Sequence, residues 1–448
     1  MKRKVVVFLV AISVGLSVSA QYASAVVVDP NTRACLAKKY GAKAADKIST
    51  AKKLTAAQNK QLAACKSSGS AGSSTGGSAS GGSSSGDSSS GSLMALNYSL
   101  LWSAGSQQSG LGNVSDPALL QLADGSIRLF FKNGNEPQIP IAGFDNKIHS
   151  YVSRDNGATW TLESGVRIDV GSPVSVRVAE AGGYEAWGWV SAGGGLDALT
   201  RFTSSTGSDF TKGSGSPVTT SGCKNTDGAS AGFLGDAQVA KIAGGYLAFA
   251  HDLAAGKSAP YKRQACKLTS TDGTNWSVDA AGTFAFNYDI QTNPELYRNA
   301  AGQLELLFAV DNKAKYVEIR TSTNDGASWS SATPLTSFQA ADPERLDLAN
   351  GTSLLAFGNF DHSIGGLLAV SKKVSSPYSA SRDEKIDSVS WVVSGAKASD
   401  VKVMNLCASR DVTSAAKISA SGSNLSISYA SSSVGCVYLL LGASNILS

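Results

Sequence analysis

The feature that most restricts this chain is a repeating unit of about 55 residues, first met at Asp116 and still recognisable near the C-terminus. Its opening member is a short apolar strand after Asp116-Pro117, a turn at Asp124-Gly125, and a second strand from Ile127 to Phe131. The pattern returns at Ser172-Pro173, Asp236-Ala237, Asn293-Pro294 and Asp342-Pro343, and more weakly at Asp400-Val401, with starts 49 to 64 residues apart. Period-two strands separated by Gly, Asn and Asp, without amphipathic helices, specify an all-β fold. A period of this size fits the four-stranded blade of a propeller with long loops. The expectation is a six-bladed β-propeller over residues 93–448. Val437 to Leu441 would be the third strand of blade six and Tyr98 to Trp102 its fourth, joining the chain ends. The alternative is five blades, with residues from about 384 onward as a small separate β unit.

Three different segments precede the repeats. Lys2, Arg3 and Lys4 lead into the apolar run Val5 to Val18, and Ala23-Ser24-Ala25 has the small-x-small form of a cleavage site, so residues 1–25 read as a signal peptide. Ala20 is the alternative cut. Residues 26–66 are rich in Ala and Lys and read as a basic α-helical hairpin, with a face suited to an anionic envelope polymer or to ordinary solvation. Residues 67–92, nearly all Ser and Gly, read as a flexible linker. Six cysteines in an exported chain fall into three local pairs, Cys35 with Cys65, Cys223 with Cys266, and Cys407 with Cys436, expected as disulfides. A net charge of +5 over 448 residues is too small to point to nucleic acid. No later stretch is long and apolar enough for a membrane span. A secreted protein, soluble or held at the cell surface, is the resulting expectation.

Most repeats close on a second motif: Ser153-Arg154-Asp155-Asn156-Gly157-Ala158-Thr159-Trp160, Ser322-Thr323-Asn324-Asp325-Gly326-Ala327-Ser328-Trp329, the shorter Ser270-Thr271-Asp272-Gly273-Thr274-Asn275-Trp276, and a degenerate copy from Ser204 to Phe210. This pattern resembles the Asp box, or BNR repeat, of sialidase-like β-propellers. The resemblance covers about residues 96 to 448 and implies that each box is a structural hairpin turn between the third and fourth strands of a blade, on the rim and far from the ligand funnel.

Chemistry is expected where the first strands of the blades line the axis. The blade starts Asp116, Ser172, Asp236, Asn293, Asp342 and Asp400 form one ring, and Ala118, Val174, Gln238, Glu295, Glu344 and Lys402 lie two residues further on the same face. Facing carboxylates suit glycoside hydrolysis, one protonated as acid and another ionised as base or nucleophile. Asp116, Asp236, Glu295, Asp342 and Glu344 are therefore the catalytic candidates. Turn chemistry at Asp-Pro explains any single one of them equally well. No cofactor is called for, although clustered acids are also what a cation such as calcium binds.

At the catalytic positions the sialidase resemblance is not carried through. Ser115-Asp116-Pro117 stands where sialidases place an Arg-Ile-Pro motif to hold the substrate carboxylate, and an aspartate there repels such a group. Tyr297 beside Glu295 is the nearest approach to the sialidase tyrosine and glutamate. Asp-Pro in the first blade also resembles the five-bladed glycosidases of arabinose, xylose and fructose polymers, where that aspartate is the general base. Their acid glutamate precedes Gly-Pro, whereas this chain has Thr292-Asn293-Pro294 with Glu295 after it. Trp187 and Trp189 could stack on a sugar or pack between blades. Two functional readings follow: a secreted propeller that recognises a carbohydrate or glycoconjugate, with hydrolysis by a carboxylate pair as its chemistry, or a non-enzymatic surface propeller binding a protein or envelope polymer.

Overall fold

The computed structural model describes residues 39–40, 58, 93–105, 111, 114–134, 143–194, 196–223, 234–252, 264–280, 284–285, 289–290, 294–311, 316–359, 366–431 and 433–448. The expected signal peptide, the basic hairpin with its Cys35–Cys65 bridge, and the Ser/Gly linker lie outside these apart from Lys39, Tyr40 and Gln58. The chain divides into two units, Met1–Asp87 and Ser88–Ser448, and the following concerns the second.

That unit is a β-propeller built from antiparallel sheets. The first sheet runs Val114–Gln121, Ile127–Asn133, Lys147–Ser153, Thr161–Leu162, and the second Val174–Val178, Tyr184–Gly193, Leu196–Ser204, Thr211–Lys212. The third opens with Leu234–Ile242, the fourth with Glu295–Arg298 and the fifth with Ala341–Asp347. These five opening strands touch in cyclic order, each against the next and Ala341–Asp347 back against Val114–Gln121. A ring of inner strands results, and its axis is where the candidate carboxylates lie.

Packing follows from the ring. Each sheet is covered on both faces by its neighbours, so the strands are apolar on both faces instead of alternating, as in Ile127–Asn133, where only Lys132 is less than fully buried. The cores are correspondingly seams between sheets. Leu120 and Phe130 of the first sheet meet Val176 and Phe202 of the second, Trp187 meets Tyr246 of the third, and Phe249 meets Leu304 and Phe308 of the fourth. Leu307 packs with Phe357 of the fifth, and Leu129 of the first with Leu354 of the fifth. Burying each such side chain contributes about 1.5–3 kcal/mol.

Ring closure differs from the expected pairing. Tyr98–Gly105 is an outer strand as foreseen, but its long ladder is with Leu367–Lys373 of the fifth sheet, and it meets the C-terminal strands only where Ser99 pairs with Ile446. Val401–Asn405, read as the start of blade six, pairs with Val437–Leu441 and Arg410–Asp411. These strands face a separate sheet of Met94–Ala95, Ser379–Lys385, Ser388–Ser394, Asn424–Ala430 and Lys417–Ser421. Their shared core holds Val389, Trp391, Val403, Ile427 and Leu439. The weak sixth repeat is thus strand alternation serving a different two-sheet packing. The disulfides Cys223–Cys266 and Cys407–Cys436 form as paired in the sequence.

The box motifs take one local structure. In all four copies the serine hydroxyl accepts from the glycine N–H, at 2.8 Å for Gly157 and Gly273 and 2.9 Å for Gly207 and Gly326. The Asp155 carboxylate accepts from Thr159 N at 2.8 Å, and Asn324 does the same for Ser328 N at 3.0 Å. The glycine carbonyl then docks on the preceding sheet: Arg128 donates to Gly207 O at 2.7 Å, Trp187 Nε1 to Gly273 O at 2.8 Å, and Lys267 Nζ to Gly326 O at 3.4 Å. Each of these boxes ties neighbouring sheets together.

Gly273 has φ +76°, and an added Cβ would lie 3.2 Å from Tyr246 and 3.4 Å from Trp187, whereas Gly125 has φ +83° with open space around it. Gly273→Ala should therefore cost about 1–3 kcal/mol and Gly125→Ala only about 1 kcal/mol, read from urea midpoints. Equal losses would mean that the box does not carry packing between sheets.

Candidate functional site

The inner strands place the five candidate carboxylates at two levels. Asp116, Asp236 and Asp342 sit at the N-terminal ends of the inner strands of the first, third and fifth sheets, each with a left-handed backbone at φ 53°, 54° and 46°. In each strand the pairing register slips there, between Ser115 and Ala118, Gly235 and Ala237, and Ala341 and Glu344. A bulge of this kind re-aims one side chain out of the strand's alternation. Non-glycine residues in this conformation are uncommon, and Asp tolerates it because its short carboxylate can bond local backbone. The three aspartates are partly exposed between buried neighbours, and Ser115 Oγ donates to Asp116 at 2.6 Å. Of the other ring positions, Asn293 lies outside the described residues, Ser172 Oγ accepts from Trp189 N at 2.7 Å, and Asp400 caps a short turn in the C-terminal unit, accepting from Lys397 N. Asp400 and Lys402 therefore do not belong to the ring of five inner strands.

Glu295 and Glu344 form the second level. They come from adjacent sheets, are 2% and 5% exposed, and hydrogen-bond to each other. Leu119 N donates to Glu344 Oε1 at 3.4 Å, and the Arg345 backbone N–H lies near the Glu295 carboxyl and favours its charge. Burial pushes Glu295 up to about 7, and burial together with the facing Glu295 charge pushes Glu344 well above the usual carboxyl range. Two carboxyls this close in a dry setting cannot both ionise near neutrality, so the pair holds a proton.

Beginning at the pair and running toward the end of the ring that carries the boxes lies a cavity of about 750 Å³ lined by residues of all five inner strands. Its four basic side chains are engaged. Arg345 is ion-paired with Glu305 and with Asp347 at 3.2 Å, Arg298 with Asp325 at 2.7 Å, Arg177 with Glu185 at 3.3 Å, and Lys241 with Glu180 at 3.6 Å.

Other sequence candidates resolve as structural. Tyr297 OH accepts from Asp347 N at 2.8 Å, and burial pushes its phenol up to about 12. That is the wrong direction for a nucleophile. Trp187 and Trp189 are buried, with Trp187 completely so. His149, in Lys147–Ser153 of the first sheet, is bonded to Asp145 at 2.8 Å and so is not a free base. Among the described residues no group of three or more His, Cys, Asp or Glu is arranged to hold a metal ion, and no helix is long and apolar enough to cross a membrane. The cavity at the box end and the mutual bond of the two glutamates were not foreseen from the sequence. The signal was the shared offset of two residues from Asn293 to Glu295 and from Asp342 to Glu344.

No family model matches the chain, and no curated protein does. Solved structures that it resembles include a Dyadobacter fermentans protein of unknown function, 14% identical over 75% of this chain and 99% of that one with a TM-score of 0.42. Another is the α-L-arabinanase of Penicillium chrysogenum complexed with arabinobiose, 13% identical over 65% and 94% with a TM-score of 0.37. A third is the catalytic domain of a GH62 α-L-arabinofuranosidase of Coprinopsis cinerea, 11% identical over 63% and 98% with a TM-score of 0.42. The last two are glycoside hydrolases and not sialidases.

The raised glutamates fix a sign for stability. The folded chain keeps a proton that the unfolded chain releases, so stability is fullest below the ordinary carboxyl value of 4.5 and falls as pH rises through about 7. Glu344→Gln should remove about one proton from this linkage, flattening the slope by about 1.4 kcal/mol per pH unit in that window. It should also make the variant the more stable protein at pH 8. Urea titrations at several pH values check this, and an unchanged slope would exclude the shared proton.

Proposed function

We propose that this chain is an exported five-bladed propeller that cleaves a glycosidic bond in a neutral carbohydrate at the N-terminal mouth of its ring. The observation that carries the reading is the left-handed aspartate repeated at the same place on three of the five inner strands. Backbone strain of this kind costs about 1–3 kcal/mol per residue and persists where a side chain must be aimed. Three carboxylates aimed around one opening give the two roles that hydrolysis needs, an ionised group to activate water or attack the sugar and a protonated group to release the leaving oxygen. Asp116 is assigned the base, with Asp236 and Asp342 facing it. Glu295 and Glu344, buried two residues further along, are candidates that a polymer at the mouth would not touch. An acidic mouth repels sialic acids and uronates, so neutral sugars are the substrate class. The Lys-rich segment 26–66 is proposed to hold the propeller near an anionic envelope polymer.

The test is release of chromophore from aryl pentosides, hexosides and sialosides between about pH 4 and 8. Neutral glycosides should turn over and sialosides should not. Asp116→Asn, which tolerates the same backbone conformation, should lose about 10²–10⁴-fold. Turnover unchanged in Asp116→Asn, Asp236→Asn and Asp342→Asn would overturn the assignment. Glycan binding without turnover would make the propeller a recognition module.

A further inference from the structure

We propose that the cavity at the box end of the ring binds a small organic carboxylate with an apolar body, seated on Arg177 and Lys241 at the opposite end of the axis from the acidic mouth. Four of the residues lining this cavity are cationic, and their engagement is of two kinds. Arg345 gives Nε to Ser353 and its terminal nitrogens to Glu305 and Asp347, and Arg298 gives its own to Gly302 O, Lys241 O and Asp325. These two are ties within the protein. Arg177 meets Glu185 only through Nε, at 3.3 Å and without the alignment of a hydrogen bond, and the Lys241 ammonium lies 3.6 Å from Glu180, whose side chain is 71% exposed. Among the described residues no acceptor takes a hydrogen bond from the terminal nitrogens of Arg177 or from Lys241 Nζ.

Aromatic faces hold these two side chains instead, and such faces leave N–H donors unspent. The Arg177 guanidinium lies 5.6 Å from the Trp187 ring and 5.4 Å from that of Tyr246, and Lys241 Nζ lies 4.3 Å from the same Tyr246 ring. Two cations from adjacent inner strands are thereby gathered on one ring, each at the same step of the repeat, five residues after Ser172 and after Asp236. Charge around them does not balance. Glu185 is shared between Arg177 and Arg201, so one carboxylate faces two guanidiniums, and Glu180 stands in water, where its pairing is screened. Burial lowers the Arg177 pKa, and the Arg201 and Arg298 charges act in the same direction. The acids of the lining, Glu295 and Glu344, belong to the fourth and fifth sheets and share a proton, so below pH 7 the pair does not carry two charges toward this corner. A carboxylate takes two parallel bonds from a guanidinium fork, and its single charge matches the single unbalanced cation. The apolar walls Val176, Val239 and Leu296 suit its carbon body, as does Val178, a valine left 58% exposed at the cavity.

Calorimetric titration of the full chain at pH 6, where the two glutamates keep their proton, tests this with hexanoate, n-hexanol, n-hexylammonium and inorganic phosphate. Hexanoate should bind about tenfold or more tighter than the alcohol, hexylammonium should not bind, and phosphate should bind more weakly than hexanoate. Arg177→Gln and Lys241→Gln should each weaken hexanoate about tenfold, while Asp116→Asn should leave it unchanged. The ranking of the four probes on the unsubstituted protein stands even if a variant fails to fold. Equal binding of hexanoate and hexanol, phosphate bound tighter than hexanoate, or hexanoate affinity unchanged in both cavity variants would overturn the proposal. So would loss of hexanoate binding in Asp116→Asn, which would put the ligand at the mouth.

Discussion

Everything in the propeller depends on one antiparallel pairing, that of Tyr98–Gly105 with Leu367–Lys373. Four sheets can complete themselves from consecutive sequence, but the fifth has only three strands of its own before the chain turns to other use. The strand that precedes the first sheet supplies the fourth. Its ladder converts an open row of sheets into a ring and covers a strand edge that would otherwise be free to pair with another chain. Only with the ring closed do the inner strands of the first and fifth sheets meet, bringing Glu344 beside Leu119 N.

Around that closure the stabilising interactions are distributed between sheets more than within them. The apolar seams join each sheet to the next, and the box turns add fixed polar ties at the rim. Arg128 shows how the two combine: it holds Glu163 through two bonds at 2.6 and 2.8 Å and reaches Gly207 O in the next sheet. Such a frame holds the axial side chains in register without their own hydrogen bonds having to do so. Two buried carboxyls that share a proton can then persist at the axis, because the frame around them does not depend on their ionisation.

Much of this was legible in the sequence. The 49–64-residue spacing gave the repeated hairpins, the serine, glycine and aromatic of each box gave its turn, and Cys223–Cys266 and Cys407–Cys436 were paired correctly. What misled was the sixth repeat. Asp400 followed by alternating apolar residues looks like another blade start because period-two alternation reports a half-buried strand, not the sheet that buries it. At the site, the offset between Asp342 and Glu344 identified the axial face. The slip in pairing at each aspartate was invisible, since a bulge inserts a residue without changing composition. The proton shared by the glutamates was equally hidden, because it depends on two residues nearly fifty positions apart becoming neighbours in a dry place.

The closing strand also has a consequence in time. Tyr98–Gly105 leaves the ribosome before any of the sheets, yet its partner Leu367–Lys373 is made near the end. For most of synthesis this strand has no partner, and the contact that completes the ring is among the longest in the molecule. Topologies dominated by such distant contacts fold slowly and expose strand edges while they wait. A strand made early and needed last leaves the ring open until nearly the whole length of the propeller is present at once.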